Sequence, residues 1–362
     1  MNRELFLLDP GVTFLNHGSF GACPRPVFEV YQRWQRELEH EPVDFLDRRL
    51  PELLAAARAA LGAYVGASPD DLTFVPNAGT AVNMAARAVE LQPGDEVLAT
   101  DLEYGAMNFA WEWVCGRAGA TYVRAPWDEL FEHVGERTRV LYVSHITSET
   151  GLELPAAELV ARGRELGLVT IVDGAHAPGH VALDVEAIGA DFYAGNCHKW
   201  LCAPKGAGFL WVAPVWQERV HGTIVSWGYE EGRGTFIDRT QLQGTRDPSA
   251  FLSVPAAIEF VREHDEPARC VALAREARRR LCELLDEERI APEPMVQRMA
   301  SFRVPVDAYA LQHALWEEDR IEIPAMRAGL MRISVAMYTL PEDVERLLDA
   351  LPSALRTAAG GT

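Results

Sequence analysis

Short apolar runs alternate with segments of helical periodicity through the first part of the chain. The runs have the length and composition of strands and lie at residues 72–76, 96–100, 121–124, 139–144, 169–173, 192–194 and 208–212. Between them, residues 80–91 and 156–166 repeat apolar positions with the period of a helix. This order predicts an α/β fold with a mostly parallel, seven-stranded sheet. Residues 169–172 are almost wholly apolar, as is typical of a central strand covered on both faces.

The pattern changes at about residue 255, where longer helices begin. Helical periodicity covers residues 255–264, 267–288 and 341–351, and short strands are predicted near 300–304 and 330–334. These elements predict a smaller α+β domain. We therefore expect a large domain of residues 16–250 and a small domain of residues 251–362 that also includes residues 1–15. The terminal residues 357–362 are expected to be frayed.

Composition and charge narrow the class of protein. The chain has 362 residues, of which 48% are hydrophobic and 24% charged, as in ordinary globular proteins. A net charge of −19 argues against nucleic acid and anionic membranes as main partners. The sequence shows no signal-peptide pattern and no apolar run that could span a bilayer, so we expect a cytoplasmic protein. The six cysteines are scattered without paired CxxC spacing, which predicts reduced thiols and no metal site.

Lysine is almost absent, and this makes the two lysines informative. Of the 34 lysines and arginines, only Lys199 and Lys205 are lysines. Codon bias explains the arginines, but arginine cannot form a Schiff base, so a retained lysine is expected to act as an amine. Lys199 follows the predicted strand 192–194 in the sequence Gly-Asn-Cys-His-Lys-Trp, whereas Lys205 lies in an Ala-Pro-Lys-Gly turn that favours a structural or surface role. Lys199 is therefore the predicted reactive amine.

Two further features lie at predicted strand ends, where open α/β sheets bind ligands. Asp173 ends a buried strand, and its carboxylate could cap the next helix or pair with a protonated pyridine nitrogen. Residues 77–80, Asn-Ala-Gly-Thr, follow a strand and open a helix, which suits either an ordinary N-cap or an anion site. An amine, a carboxylate and an anion cradle together match pyridoxal 5'-phosphate, which carries an aldehyde, a ring nitrogen and a phosphate. The sequence therefore predicts this cofactor.

Several motifs resemble one known family. They are Phe-Leu-Asn-His-Gly-Ser-Phe-Gly at 14–21, Glu-Tyr-Gly-Ala at 103–106, His-Ile-Thr-Ser at 145–148, Asp-Gly-Ala-His-Ala-Pro-Gly at 173–179, Asn-Cys-His-Lys at 196–199, Pro-Lys-Gly-Ala-Gly-Phe at 204–209 and Gly-Thr-Arg-Asp-Pro at 244–248. Together they resemble the class V aminotransferase family of fold-type I pyridoxal-phosphate enzymes, and within it the isopenicillin N epimerase-like branch. The resemblance extends from about residue 14 to residue 351.

The resemblance implies a role for each matching residue. Lys199 would bind the cofactor aldehyde and move protons at the substrate Cα, Asp173 would keep the pyridine nitrogen protonated, and Tyr104 would stack on the ring. The other implied cofactor contacts are Gly79, Thr80, Asn196 and His198 at the phosphate, Thr147 or Ser148 and His176 near the ring and its phenolic oxygen, and Thr245 at the phosphate of the neighbouring subunit of a homodimer. Arg332 would bind the substrate α-carboxylate, with Asn16 and His17 nearby. Without the family match, Tyr104, His176 and Arg332 would be read as a sheet-edge aromatic, a core histidine and a solvated arginine.

The reaction stays open between three fates of the Cα proton. Epimerisation needs a second acid on the face opposite Lys199, for which Tyr104, His17 or a residue of a partner subunit are candidates. Elimination, such as C–S cleavage, and transamination are the alternatives, and the resemblance favours epimerase-like chemistry. The resemblance implies that a cysteine desulfurase would need a cysteine on a loop shortly before the arginine that binds the carboxylate. Residues 315–330 contain no cysteine, so cysteine desulfuration is disfavoured. A non-catalytic binding protein is also disfavoured, because it would not need lysine, aspartate and arginine together.

Overall fold

The computed structural model describes residues 2–230 and 234–360 of the chain. Its strands are β1 (Thr13–Phe14), β2 (Leu72–Val75), β3 (Glu96–Thr100), β4 (Thr121–Ala125), β5 (Thr138–Ser144), β6 (Val169–Gly174), β7 (Phe192–Asn196), β8 (Gly208–Val212), β9 (Met299–Arg303), β10 (Ile321–Glu322), β11 (Ala325–Met326) and β12 (Leu330–Ser334). Its α-helices are α1 (His17–Phe20), α2 (Arg25–His40), α3 (Leu50–Val65), α4 (Ala78–Ala88), α5 (Gly105–Ala118), α6 (Ala156–Glu165), α7 (Val185–Ile188), α8 (Phe236–Gln241), α9 (Ser249–Leu252), α10 (Val254–His264), α11 (Pro267–Leu285), α12 (Ala308–Asp319) and α13 (Pro341–Gly360). A π-helical segment, Asp44–Arg49, precedes α3.

The seven predicted strands form one sheet in the order β2-β8-β7-β6-β5-β3-β4. Within this sheet β8 runs antiparallel to both of its neighbours, and the other strands share one direction. The predicted α/β class and the mostly parallel sheet are therefore confirmed. Successive residues of β6 explain its apolar sequence, since Ile171 packs into the apolar cluster on one face and Val172 into the cluster on the other.

The loop between β7 and β8 carries the predicted reactive lysine. Because β7 and β8 are antiparallel neighbours, residues 197–207 leave the sheet after Asn196 and return beside it, with Asn196 paired to Gly208. Both ends of this loop are thus held by one ladder of backbone hydrogen bonds, at the carboxyl edge of the parallel strands.

The C-terminal part builds a second apolar core. Strands β11, β12 and β9 form a three-stranded antiparallel sheet, and α11, α12 and α13 contribute to the apolar cluster around it. The N-terminal segment reaches this part of the fold, because β1 pairs with β10 and Leu15 joins its core. Side chains of α10 belong instead to the core that contains α3. The division at residue 250 stays a prediction.

The sequence pattern missed or misplaced several helices. Helices α2, α5 and α12 were not predicted, and the last helix was expected to end near residue 351. Instead α13 continues through Pro352 to Gly360, so the expected fraying of residues 357–360 is wrong, while residues 361 and 362 lie outside the described part. The physical reason is packing, because Ala354 and Ala358 are buried in the second core. Among the described residues, no helix combines the length and apolar character needed to cross a bilayer.

Candidate active site

Lys199 lies in the loop after β7, and its amine is held by a histidine. Nζ is 3.0 Å from Nε2 of His176. Burial lowers the pKa of Lys199 to about 7, and the nearby Arg332 guanidinium lowers it too, while the Asp173 carboxylate acts in the opposite direction. A substantial share of this lysine is therefore a free amine at neutral pH, which is the form that attacks an aldehyde.

Asp173 is the penultimate residue of β6 and is buried. Its Oδ1 accepts a hydrogen bond of 2.9 Å from the backbone N–H of Ala175, and its Oδ2 accepts one of 3.1 Å from the Tyr142 hydroxyl. Burial raises the pKa of Asp173, whereas these two hydrogen bonds and Lys199 act to lower it. The carboxylate is thus anchored by neighbours that favour its ionised form, and a cationic partner in the site would favour that form further.

The first turn of α4 meets the end of β7. Asn77 caps the helix by accepting a 2.8 Å hydrogen bond from the backbone of Thr80, and Asn196 accepts one of 2.8 Å from the backbone of Ala78. Nδ1 of His198 lies 2.9 Å from the carbonyl of Ala207 and must carry a proton. Nε2 of His198 can therefore donate to an anion only when the ring is doubly protonated. The first turn of α4, which contains Gly79 and Thr80, is therefore joined to Asn196 through Ala78, and His198 lies two residues further along in the lysine loop.

Tyr104 stands at the N-cap position of α5 and is 49% exposed. The preceding residue, Glu103, is buried and accepts hydrogen bonds from the Thr100 hydroxyl at 2.6 Å and from the hydroxyl and backbone N–H of Ser144 at 2.5 and 2.9 Å. Burial raises the pKa of Glu103 to about 7. Glu103 therefore holds the turn before α5 in place, and the side chain of Tyr104 is exposed at that turn.

Arg332 lies on β12 with only 1% of its surface exposed. Its guanidinium donates to the carbonyl of Ser148 and, at 3.3 Å, to the hydroxyl of Ser19. Its Nε is buried and has no hydrogen-bond partner among the described residues. A buried cation with an unused donor is costly, and an incoming carboxylate would satisfy it.

The motif at residues 14–21 contacts the backbone of Lys199. Asn16 donates a 2.8 Å hydrogen bond to Glu322 and accepts one of 2.5 Å from Ser19. Nδ1 of His17 is 2.9 Å from the Tyr338 hydroxyl, and its Nε2 is 3.0 Å from the backbone carbonyl of Lys199. Both nitrogens of His17 are therefore occupied, so its side chain supports the lysine backbone and has no nitrogen left for the substrate.

Two predicted site residues, Thr147 and Thr245, are not available to this site. The first has a hydroxyl that is already hydrogen-bonded, and the second lies elsewhere. The Thr147 hydroxyl closes its own turn through Thr150 at 2.6 Å and the backbone N–H of Leu152 at 2.8 Å. Thr245 is exposed at a separate cavity of about 810 Å³ whose other lining residues, which include Leu50 and Trp227, are not predicted site residues. The implied contact of Thr245 with a neighbouring subunit stays a prediction.

Sequence reasoning missed four residues that shape the site. Tyr142 contacts Asp173, Ser19 contacts Arg332, Glu103 fixes the Tyr104 turn, and Trp200 contacts His176. Ser19, Glu103 and Trp200 lie inside or beside the motifs that carried the resemblance, so their positions were visible, but their partners were not. Among the described residues, no group of three or more histidine, cysteine or acidic side chains is arranged to hold a metal ion.

Comparisons with known proteins agree on one family. The sequence profile described as Aminotransferase class-V matches residues 24–347. An isopenicillin N epimerase of Streptomyces clavuligerus is 38% identical, and one of Amycolatopsis lactamdurans is 40% identical, each over 96% of both chains. A probable chloroplastic L-cysteine desulfhydrase of Arabidopsis thaliana is 30% identical over 96% of this chain and 84% of its own length.

A solved structure shares the fold at lower sequence identity. It is a mutant of C-DES with glycine covalently linked to its PLP cofactor, and it is 23% identical with a TM-score of 0.85. The match covers 97% of this chain and 99% of that one.

Proposed function

Because the chain belongs to the class V aminotransferase family, we propose that it exchanges a proton at the α-carbon of an amino-acid substrate, as an epimerase does. It is an enzyme that depends on pyridoxal 5'-phosphate and acts at Cα. Two epimerases at 38–40% identity over nearly the whole chain support this reaction more strongly than the desulfhydrase at 30%. The structural observation behind the proposal is the buried amine of Lys199, 3.0 Å from His176 Nε2, whose pKa burial lowers to about 7, so that a substantial share of it can accept a proton at neutral pH.

The residues present fit this cofactor. Lys199 supplies a free amine, Asp173 a buried carboxylate, and Arg332 a buried guanidinium whose Nε lacks a partner among the described residues. The first turn of α4 is closely packed at Gly79, where an added Cβ would lie only 3.2 Å from Asn77 Oδ1 and 3.4 Å from Met107 Cε, so this position favours glycine. The retention of lysine, aspartate and arginine together argues against a non-catalytic binding protein on the same fold, which would not need all three.

Each group would contribute a distinct interaction. Asp173 would pair with the ring nitrogen, and Tyr104 would cover one face of the ring. Gly79, Thr80 and Asn196 would hold the phosphate, with Thr245 added by the partner subunit. His198 would donate to it only as a doubly protonated ring, a form that burial disfavours by lowering the pKa of His198 to about 4. His176 and Ser148 would lie beside the ring and its phenolic oxygen, with Thr147 supporting the turn that carries Ser148. Arg332 would orient the substrate α-carboxylate. Asn16 would lie nearby, because Ser19 hydrogen-bonds to both Asn16 and Arg332.

Proton transfer at Cα requires side chains in the site that are free to accept or donate a proton. When bound, pyridoxal phosphate acidifies the Cα–H bond of an attached amino acid. The amine of Lys199 would accept that proton on one face and return it. His17 cannot serve on the other face, because both of its nitrogens are occupied. Tyr104 or a residue of the partner subunit is the proposed second acid.

The proposed assembly is a homodimer in the cytoplasm. Its support is the exposure of Thr245 together with Ile224, Val225 and Trp227, which are 57, 71 and 70% exposed in the single chain. Six free cysteines fit a reducing compartment. The two-domain division at residue 250 belongs to the same proposal.

Incubation with a panel of L-amino acids in heavy water tests the reaction. Epimerisation predicts deuterium at Cα and formation of the D-enantiomer. Lys199→Ala should abolish exchange, whereas Lys205→Arg, which keeps a cation and removes the other lysine, should retain it. Borohydride reduction should label Lys199 alone. Full exchange by Lys199→Ala would rule out the proposed role.

C–S cleavage is the second candidate, favoured by the match to the cysteine desulfhydrase over 96% of this chain. It would release pyruvate and ammonia from cysteine or cystine in the same panel, whereas an α-keto acid with aminated cofactor would indicate transamination. Persulfide-forming desulfuration stays disfavoured, because the segment around β11 contains no cysteine and Cys282, the last in the chain, is buried within α11.

A further inference from the structure

Trp200, the residue after Lys199, contacts the histidine that holds the lysine amine. Its indole Nε1–H donates a 3.3 Å hydrogen bond to Nδ1 of His176, and only 1% of Trp200 is exposed. An indole nitrogen can only donate, so Nδ1 of His176 must offer its lone pair.

This contact determines where His176 carries its proton. Burial and the nearby cations Lys199 and Arg332 hold the pKa of His176 well below its ordinary value, so the ring is neutral. With Nδ1 unprotonated, the single ring proton must lie on Nε2, which is 3.0 Å from Nζ of Lys199. Nε2–H then donates to the amine, which accepts through its lone pair and is therefore neutral.

Trp200 is itself fixed by surrounding rings. The His180 ring centroid lies 4.1 Å from that of Trp200, and the His17 ring centroid lies at 4.9 Å. The backbone N–H of Arg298 donates to Nε2 of His180 at 2.8 Å, and Nδ1 of His180 is 3.1 Å from the carbonyl of His176. His180 therefore also has one defined tautomer, and the indole is held in a single orientation.

We propose that Trp200 is a positioning residue that sets the tautomer of His176 and thereby presents the Lys199 amine as a lone-pair nucleophile. Without the indole N–H, His176 can place its proton on Nδ1 and turn the Nε2 lone pair toward Lys199. That arrangement favours an ammonium group, which cannot attack a carbonyl. The proposal rests on the proposed function only in taking Lys199 as the amine that reacts with an aldehyde.

Other charges also act on this amine and must stay constant in the test. They are Asp173, Arg332 and His176, with His17 and His198 nearby. Replacement of Trp200 by phenylalanine removes the N–H and leaves all of these groups in place.

The test uses the full chain without cofactor and compares Trp200→Phe with Trp211→Phe. Trp211 is a matched control, because it is 5% exposed and its indole nitrogen has no partner among the described residues. Long-range ¹H–¹⁵N spectra of His176 report its tautomer. We expect an Nε2–H ring in the wild type and in Trp211→Phe, and an Nδ1–H fraction in Trp200→Phe.

The reactivity of Lys199 provides the second measurement. The rate of borohydride-trapped labelling with a simple aldehyde should rise with pH, and its midpoint should move up by about one unit in Trp200→Phe, which is roughly tenfold slower reaction at neutral pH. In a His176→Gln variant, the glutamine amide can donate to Lys199 without any contact that fixes a tautomer. Adding Trp200→Phe to that variant should therefore cause no further change in the labelling midpoint.

Three results would overturn the proposal. They are an Nδ1–H tautomer in the wild type, an unmoved tautomer and midpoint in folded Trp200→Phe, or equal shifts in Trp211→Phe. If Trp200→Phe does not fold, the wild-type spectrum still tests the proposal, because an Nδ1–H ring there would overturn it. None of these measurements depends on which reaction the loaded enzyme catalyses, so failure here is distinct from failure of the proposed epimerisation.

Discussion

The Tyr142 hydroxyl donates a 3.1 Å hydrogen bond to Oδ2 of Asp173 from the neighbouring strand of the sheet. Both side chains are buried, and this bond opposes the rise in the pKa of Asp173 that burial causes. The ionised form of the carboxylate therefore depends partly on a residue that would not touch a substrate.

Replacement Tyr142→Phe should weaken cofactor binding. Loss of a hydrogen bond to a charged acceptor costs about 1.5–3 kcal/mol, so we expect the dissociation constant for pyridoxal phosphate to rise by roughly tenfold or more. Tyr193→Phe is the control, because its hydroxyl is 2.8 Å from His145 Nδ1 instead of Asp173. Spectrophotometric titration measures both, and equal weakening in the two variants would contradict the argument.

Replacement Arg332→Lys should raise KM for amino acids and leave the absorption spectrum of the bound cofactor unchanged. Lysine keeps the charge but cannot supply the paired donors of a guanidinium. Loss of one charge-assisted hydrogen bond predicts roughly a 10- to 150-fold rise in KM. Arg278→Lys is the control, since Arg278 is buried within α11 and bonds the carbonyl of Ala291. An unchanged KM in Arg332→Lys would exclude carboxylate binding there.

The pH dependence of stability should report the buried amine of Lys199. Its pKa falls from 10.5 to about 7 on folding, so between these values the unfolded chain holds a proton that the folded chain has lost. The unfolding free energy of the cofactor-free protein should therefore rise with pH in this window. Lys199→Met should remove that rise and be more stable than the wild type at pH 7. Lys199→Arg, always charged, should also lack the rise and be less stable than the wild type above pH 7, as denaturant titrations would show.

Glu103 should contribute with the opposite sign at lower pH. Burial raises its pKa from 4.5 to about 7, so the folded protein keeps a proton that the unfolded chain loses in this range. Its contribution to the unfolding free energy is complete below pH 4.5 and is lost as the pH rises to about 7. Glu103→Gln should flatten this part of the stability curve. Glu158→Gln, at an exposed position of α6, should leave the curve unchanged.

Replacement Gly21→Ala should disturb the lysine loop. Gly21 has φ +72°, and a Cβ there would collide with the carbonyl of His198 and lie 2.8 Å from Cα of Lys199. Gly94→Ala is the matched control, because Gly94 has φ +91° with open space around it. The control should lose about 1–2 kcal/mol from the left-handed conformation alone. Gly21→Ala should lose more and also bind less cofactor, so equal losses in stability would contradict the predicted contact.

The sequence was most informative where burial acts on consecutive residues. Strand β6 is apolar on both faces, so its position and the acidic residue at its end could be predicted from local pattern. The motif around Lys199 likewise identified the loop that carries the amine. These features depend on neighbours within a few residues, which a pattern of local composition can register.

The side-chain partners depend on contacts between distant parts of the chain. His17 was expected near the substrate, but Tyr338 and the Lys199 carbonyl, distant in sequence, take its two nitrogens. Thr147 was expected near the cofactor, but its hydroxyl closes a turn, which the residue type alone does not reveal. Helix α13 passes Pro352 because buried alanines beyond it offset the broken hydrogen-bond pattern.

The antiparallel pairing of β7 with β8 has a mechanical consequence. Asn196 and Gly208 close the lysine loop on one rigid ladder, whereas the guanidinium of Arg332 stands on a strand of the other sheet. Any movement of one sheet relative to the other would therefore change the distance between the Lys199 amine and the Arg332 guanidinium, while the internal geometry of the lysine loop would stay the same.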